Sequence, residues 1–261
     1  MFAEERQLRI ARWIADAGRV SVGELASEFD LTQETIRRDL SLLEADGVLR
    51  RVHGGAVAAS RVSLAEAPLP ERARRNIDAK ARIAALALDL VPTSATGSVV
   101  LDAGTTTTAL ATRLGPACAD RSSALLLITN SLPVASTLTS APNVELEVLG
   151  GRVRPTTGAA VGPVAVERMN RLRPDIAFVG TNGVDAAFGL STPDAHEASI
   201  KSAFVRNAHR VVVLADATKL GVTALVQFAE LGAVDTLITD AQPTGTLREA
   251  LHEAEVEVLV A

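Results

Sequence analysis

The chain has 261 residues, 48% hydrophobic and 22% charged, enough apolar side chain for one large domain or two ordinary ones. With 26 Lys and Arg against 31 Asp and Glu, the formal charge is −5, which argues against wholesale disorder and against a polybasic coat for nucleic acid. Cys118 is the single cysteine, which excludes an intramolecular disulfide framework, and 3% aromatics with no Tyr argue against base-stacking platforms and aromatic-lined carbohydrate sites.

No apolar run reaches the roughly 18–20 residues that cross a bilayer. The charged, helix-patterned start, residues 1–12, does not read as a signal peptide, so a cytoplasmic protein without a membrane partner is expected. Leu8, Ala11, Ile14 and Ala15 share one face of a first predicted helix, which Gly18 stops. Ser21-Val22-Gly23-Glu24 has capping-box spacing and opens a second helix that buries Leu25, Ala26 and Phe29. Thr32 can cap a third, whose core side is Ile36, Leu40 and Leu43, with Glu34, Arg37, Arg38 and Ser41 on the opposite arc. Gly47 ends it, and Val48 to Val57 reads as two strands around a Gly54-Gly55 turn. Three helices and a β-hairpin make a winged helix-turn-helix over residues 1–57.

Residues 58–75, with Pro68, Pro70 and mixed charge, read as a linker. From 76 to 261 the pattern is that of a larger α/β domain. Strands are expected near 98–102, 125–129, 144–149, 175–180, 210–215, 235–239 and 256–260. Helices are expected near 79–90, 106–114, 133–138, 163–172, 195–208 and 244–254.

A helix offered to the major groove needs one side buried and its N-terminal residues free to reach bases and phosphates. Gln33, Thr35, Arg37 and Arg38 meet that need, and Arg50, Arg51 and His53 on the hairpin are placed to track a backbone or a minor groove. Residues 1–57 carry 8 Lys and Arg against 10 Asp and Glu, so the positive charge is local. Two heads acting together in a homo-oligomer, dimer or tetramer, on double-stranded operator DNA are therefore expected.

Thr35-Ile36-Arg37-Arg38-Asp39-Leu40 followed by Arg51-Val52-His53-Gly54-Gly55-Ala56 resembles the signature of the DeoR/GlpR family of bacterial transcriptional regulators. Further on, Asp102-Ala103-Gly104-Thr105-Thr106-Thr107 follows an apolar strand and opens a helix, a turn that can cradle phosphate on amide N–H groups. Later strands end in small or polar residues: Asn130, Gly150-Gly151 with Arg152 behind it, and Gly180-Thr181-Asn182-Gly183. In an open parallel sheet that is where ligands bind. Glu197 and Lys201 share one helical face, where Lys201 can meet a phosphate or sugar oxygen while Glu197 orients a hydroxyl; Asp216 and Lys219 follow another strand end.

These segments also resemble the family's effector domain, so the resemblance covers essentially the whole chain. It implies a C-terminal domain similar to ribose-5-phosphate isomerase, used as a sensor of a phosphorylated sugar. Phe2-Ala3-Glu4-Glu5-Arg6, Gly189-Leu190-Ser191-Thr192 and His209-Arg210-Val211-Val212-Val213-Leu214 resemble actinobacterial regulators of phosphotransferase-system sugar uptake and fructose use. The sequence departs from many relatives at Ala79, where they carry an acidic residue before the lysine matching Lys80; this leaves the ligand site untouched.

The reading is a DNA-binding regulator, a repressor of sugar uptake or catabolism genes controlled by a fructose-phosphate type effector. An enzyme using Asp102, Glu197 and Lys201 for aldose–ketose isomerisation is the alternative, but it gives the fused winged helix no purpose. A ligand-free scaffold leaves the polar strand ends unexplained. No cofactor is implied, and the histidines at 53, 196, 209 and 252 never pair at metal-ligand spacing.

Overall fold

The computed structural model describes residues 3–17, 19–45, 48–52, 54–58, 62–63, 67–94 and 97–261. The chain divides into two compact units, Met1–Val62 and Ser63–Ala261.

The first unit contains α1 (Ala3–Ala17), β1 (Arg19–Ser21), α2 (Val22–Phe29), α3 (Gln33–Ala45), β2 (Leu49–Val52) and β3 (Gly55–Ala58). The capping box forms as its spacing predicts: the Glu24 N–H donates to Ser21 Oγ at 3.1 Å, and the Ser21 N–H to Glu24 Oε2 at 2.7 Å. Thr32 caps α3 by accepting from the Thr35 N–H at 3.3 Å. The hairpin gains a third strand not expected from the sequence, in the order β1-β3-β2, all antiparallel. That strand explains Gly55, where a Cβ would stand 2.3 Å from the Val20 carbonyl oxygen. Ile36, Leu40 and Leu43 are buried with Ile10, Ile14, Val20, Leu25 and Leu49. The expected face of α1 needs correcting, because Leu8 is 61% exposed and Ile10 is fully buried. Two residues apart on a helix, Leu8 and Ile10 lie about 160° round from each other, and the packing selected the Ile10–Ile14 stripe.

The short strand β4 (Val62–Ser63) precedes α4 (Leu69–Arg74), α5 (Ile77–Asp89), β5 (Ser98–Leu101), α6 (Thr105–Ala117), β6 (Leu125–Thr129), α7 (Leu132–Leu138) and β7 (Val144–Val148). There follow β8 (Arg152–Arg154), β9 (Ala159–Val161), α8 (Pro163–Asn170), β10 (Ile176–Gly180), β11 (Gly183–Asp185), β12 (Gly189–Thr192), α9 (Ala195–Asn207) and β13 (Arg210–Leu214). The chain continues through β14 (Thr223–Ala224), β15 (Val226–Ala229), β16 (Thr236–Thr239), α10 (Gly245–Glu253) and β17 (Glu257–Val260). The expected linker at 58–75 thus carries a helix over its last third. Pro70 sits in the first turn of α4, where its missing N–H costs nothing.

Seven strands form one parallel sheet in the order β17-β16-β13-β10-β5-β6-β7. Alternate residues feed two cores. Val99, Leu101, Phe178, Val212 and Leu214 pack on one face with α5, α6 and α7; Val100, Ala177, Val179, Val211 and Val213 pack on the other with α8, α9 and α10. Cys118 is buried in the first of these. The chain builds outward from β5 to β7 and then returns to β10 on the other side of β5. That reversal makes the carboxyl ends of β5 and β10 the switch point of the sheet, where a crevice opens. The antiparallel β11-β12-β15 sheet and the β8–β9 hairpin, neither expected from the sequence, are built from strands of three or four residues.

Candidate functional site

On α3 the aliphatic stripe points inward, which leaves Gln33, Arg37 and Arg38 exposed and Thr35 half-buried. Gln33 accepts from Arg37 Nη2 at 3.2 Å, and Glu34 lies 3.6 Å from Arg37 Nη1, so both hold that guanidinium along the helix. Arg38 makes no hydrogen bond or ion pair with a described residue. Its neighbour Asp39 has a different task. It is buried and accepts from Arg6 Nε at 2.6 Å, Arg6 Nη2 at 3.1 Å and Gln7 Nε2 at 3.1 Å, clamping α1 to α3. The hydrogen bond to Asp39 raises Arg6 above its ordinary value. Arg51 reaches back to α3: its N–H donates to Glu44 Oε1 at 2.8 Å and its guanidinium donates to Ser41 Oγ. Arg50 lies on β2 opposite Val57; its side chain, and His53 altogether, fall outside the described residues.

The second site is a cleft of about 340 Å³ at the switch point. It is lined by Ala103–Thr107 after β5, Gly180–Asn182 at the end of β10, Leu214–Asp216 with Thr218 and Lys219 after β13, Glu197 and Lys201 of α9, and Arg72, Arg75, Asn76 and Lys80 from α4 and α5. Of the residues expected there, the structure brings together Gly104, Thr105, Thr106, Thr107, Thr181, Asn182, Glu197, Lys201 and Lys219. The first turn of α6 points its N–H groups toward this space, where a helix N-terminus favours an anion. Thr107 contributes its backbone only, because its hydroxyl donates to the Gly104 carbonyl at 2.9 Å.

Asp102 lies behind the wall, 1% exposed, and takes the Lys201 ammonium as its ion-pair partner. The same carboxylate accepts from the Gly180 N–H at 3.1 Å, and Lys201 Nζ also donates to the Gly180 carbonyl at 2.9 Å. Burial pushes the Asp102 carboxyl above the usual carboxylate range, and the Lys201 ammonium opposes that shift. The Phe228 ring, 5.7 Å from Lys201 Nζ, completes the enclosure. Glu197 is equally committed: it accepts from Thr157 Oγ1 at 2.5 Å and from the Arg154 guanidinium, which also lies 3.3 Å from Asp194.

Asn130, Gly151, Arg152 and Gly183 do not line the cleft. Asn130 ties strand ends together, accepting from the Ala103 N–H at 3.0 Å and donating to the Ala160 carbonyl at 3.2 Å. Gly151, with φ +132°, packs against the Val161 carbonyl. Arg152 is exposed, and the fixed cation of that hairpin is Arg154. Gly183 donates its N–H to Thr181 Oγ1 at 3.2 Å and approaches Val222 too closely for a side chain.

The cations from α4 and α5 were not anticipated as site residues. Lys80 is 7% exposed, and its ammonium donates to the carbonyls of Arg72 and Arg75, both at 2.6 Å. Burial pushes Lys80 and Lys219 below the ordinary lysine range; Arg72 and Arg75 add to the shift by repulsion, and Asp216 opposes it. A lysine within the stripe formed by Ile83, Ala84 and Ala87 was the available signal, since lysine is rarely buried without partners.

Comparison with known proteins matches residues 6–62 to the DeoR-like helix-turn-helix domain and residues 75–241 to the DeoR C terminal sensor domain. The chain belongs to the DeoR family. A relative from Haloferax volcanii, the HTH-type transcriptional regulator GlpR, is 37% identical over 99% of this chain and 98% of its own length. FruR of Bacillus subtilis, named an uncharacterized HTH-type transcriptional regulator, is 34% identical over 93% of each chain. The glycerol-3-phosphate regulon repressor of Escherichia coli is 30% identical over 97% of each. Among solved structures, ribose 5-phosphate isomerase A from Methanocaldococcus jannaschii overlaps 56% of this chain and 55% of its own, with 21% identity and a TM-score of 0.42. This DeoR-family chain is a DNA-binding transcriptional regulator and not an enzyme, in line with the names its relatives carry. No helix of the described residues is long and apolar enough to cross a membrane.

Proposed function

We propose that this regulator represses genes of sugar uptake or catabolism and is released from its operator by a phosphorylated sugar, of fructose phosphate type, bound in the switch-point cleft. The observation that carries the reading is the charge of the cleft wall. Arg72, Arg75, Lys80, Lys201 and Lys219 line it with the α6 N-terminus, and only Glu197 and Asp216 are acidic. A wall of that kind prefers a phosphate ester to its neutral parent sugar. Thr105 and Thr106 supply hydroxyls and Asn182 an amide for the sugar, whereas the Thr181 and Thr218 hydroxyls already donate to the Gly183 carbonyl and to Asp216. The name of one relative, the glycerol-3-phosphate regulon repressor of Escherichia coli, supports a phosphorylated polyol or sugar.

In this reading Gln33, Thr35, Arg37 and Arg38 meet the major groove while Arg50, Arg51 and His53 serve the wing. Two or four copies pair their heads on a two-fold operator. Release requires the ester to bind the DNA-incompetent arrangement more tightly, about 1.4 kcal/mol for each tenfold loss of operator affinity. Calorimetry and thermal shift on the full chain test this, with fructose 1-phosphate, fructose 6-phosphate, fructose 1,6-bisphosphate and glycerol 3-phosphate beside fructose and glycerol. Binding by an ester but not its parent, together with a weakened gel shift on operator DNA, is expected. Equal behaviour of esters and parents overturns the phosphate reading.

A further inference from the structure

We propose that residues 69–80 form a strap that the bound ester holds closed, with Lys80 as the positioning residue that joins the cleft to α4; this rests on the sugar-phosphate reading above. α4 has six residues, none of them buried. So short a helix does not hold itself in water; Leu69 and Ala73 lie beside Ala109 of α6, and bonds at its two ends fix the rest. At the amino end, the Leu69 N–H donates to the Thr156 carbonyl at 3.1 Å. Thr156 sits in the turn between β8 and β9, beside Thr157 and two residues from Arg154, both bonded to Glu197 in the cleft. At the carboxyl end, Lys80 holds the carbonyls of Arg72 and Arg75. Asn76, at φ 52°, donates from Nδ2 to Asp216 Oδ1 at 3.1 Å. The carboxyl end of α4 is therefore fastened through residues that line the cleft, and its amino end through the chain neighbour of a residue bonded to Glu197.

A lysine ammonium has three N–H groups. Two of those on Lys80 go to the strap carbonyls, and the side chain lines the cleft, so an anion there completes the set. It also relieves the repulsion that Arg72, Arg75 and Lys219 exert on Lys80. An anion in the cleft thus bonds the same ammonium that holds the strap carbonyls, so occupancy of the cleft and closure of the strap are joined through Lys80.

Hydrogen exchange on the full chain, read by mass spectrometry beside calorimetry with the same four esters, tests the strap. A bound ester is expected to slow the amides of Leu69 and 71–75 by about tenfold while β13 stays unchanged. Lys80→Met at saturating ester is expected to show no such slowing, and Lys80→Arg to restore it, since a guanidinium can serve both carbonyls and anion. Ester binding without slowing in 69–75, or slowing in Lys80→Met equal to the parent chain, overturns the strap and leaves the effector reading standing. If none of the four esters binds, both fall. Should Lys80→Met not fold, Asn76→Gly removes the Asp216 bond without backbone strain. Faster exchange in 69–75 of the free protein supports the strap, and an unchanged rate overturns it.

Discussion

In the DNA-binding unit Arg37 and Arg38 stand exposed on α3, whereas in the sensor unit Asp102, Lys201, Glu197 and Lys80 are all buried. The difference follows from what each surface has to recognise. A duplex is large and approaches from outside, so its reader keeps cations in water, where desolvation costs nothing before binding. A small anion has to be enclosed, so the sensor carries charge inside the protein and compensates it in advance with Asp102, Gly180, Arg154 and strap carbonyls. The first arrangement tolerates loss of one side chain; the second does not.

Lys201→Met should show that contrast most strongly. It leaves Asp102 buried without its cation, and a loss of about 3–5 kcal/mol in the stability of the sensor unit is expected, read by urea unfolding. A loss within about 0.5 kcal/mol, the range of ordinary surface changes, would mean that the pair does not brace the site. Arg38→Ala should lower operator affinity by roughly 1–3 kcal/mol in a gel-shift titration and leave unfolding unchanged. Unchanged operator affinity removes Arg38 from the interface. Ser21→Ala should cost about 1 kcal/mol of amino-terminal stability through loss of the α2 cap, followed by thermal unfolding.

The smallest expected effect is on pH. Lys80 and Lys219 lie below the ordinary lysine value of 10.5 in the free protein, chiefly through burial. An anion bound beside them raises both, so binding takes up protons. Above about pH 8, where the ester is already a dianion, its affinity therefore declines as pH rises through the depressed values toward 10.5. Calorimetry above about pH 8, where the ester has no proton left to release, in buffers of different ionisation enthalpy reads the uptake directly. Proton release on binding would contradict it.

Much of the fold was legible because local rules and tertiary demands agreed. The Ser21–Glu24 box, the Thr32 cap, the Ile36-Leu40-Leu43 stripe and the β-branched runs of the parallel sheet all appear where their spacing places them. Leu8 shows the limit of that agreement, since two stripes on α1 were nearly equal in hydrophobicity and only packing chose between them. Strands of three residues, such as β8, β9 and β11, are too short to carry a period and exist because neighbouring backbone offers them partners.

The site divides the same way. Sequence by itself determined the Gly104–Thr107 turn, the Thr181-Asn182 strand end and the place of Glu197 and Lys201 on one helical face, because residues close in the chain need only a helix or a turn to be placed. Tertiary structure alone decided that Asp102 would face Lys201 across 99 residues, that Glu197 would be held by Arg154 and Thr157 rather than left to a ligand, and that Lys80 would enter the cleft. Strand order fixed these outcomes. By returning β10 to the far side of β5, the sheet brings the ends of distant segments to one crevice, a juxtaposition that no local pattern of residues encodes.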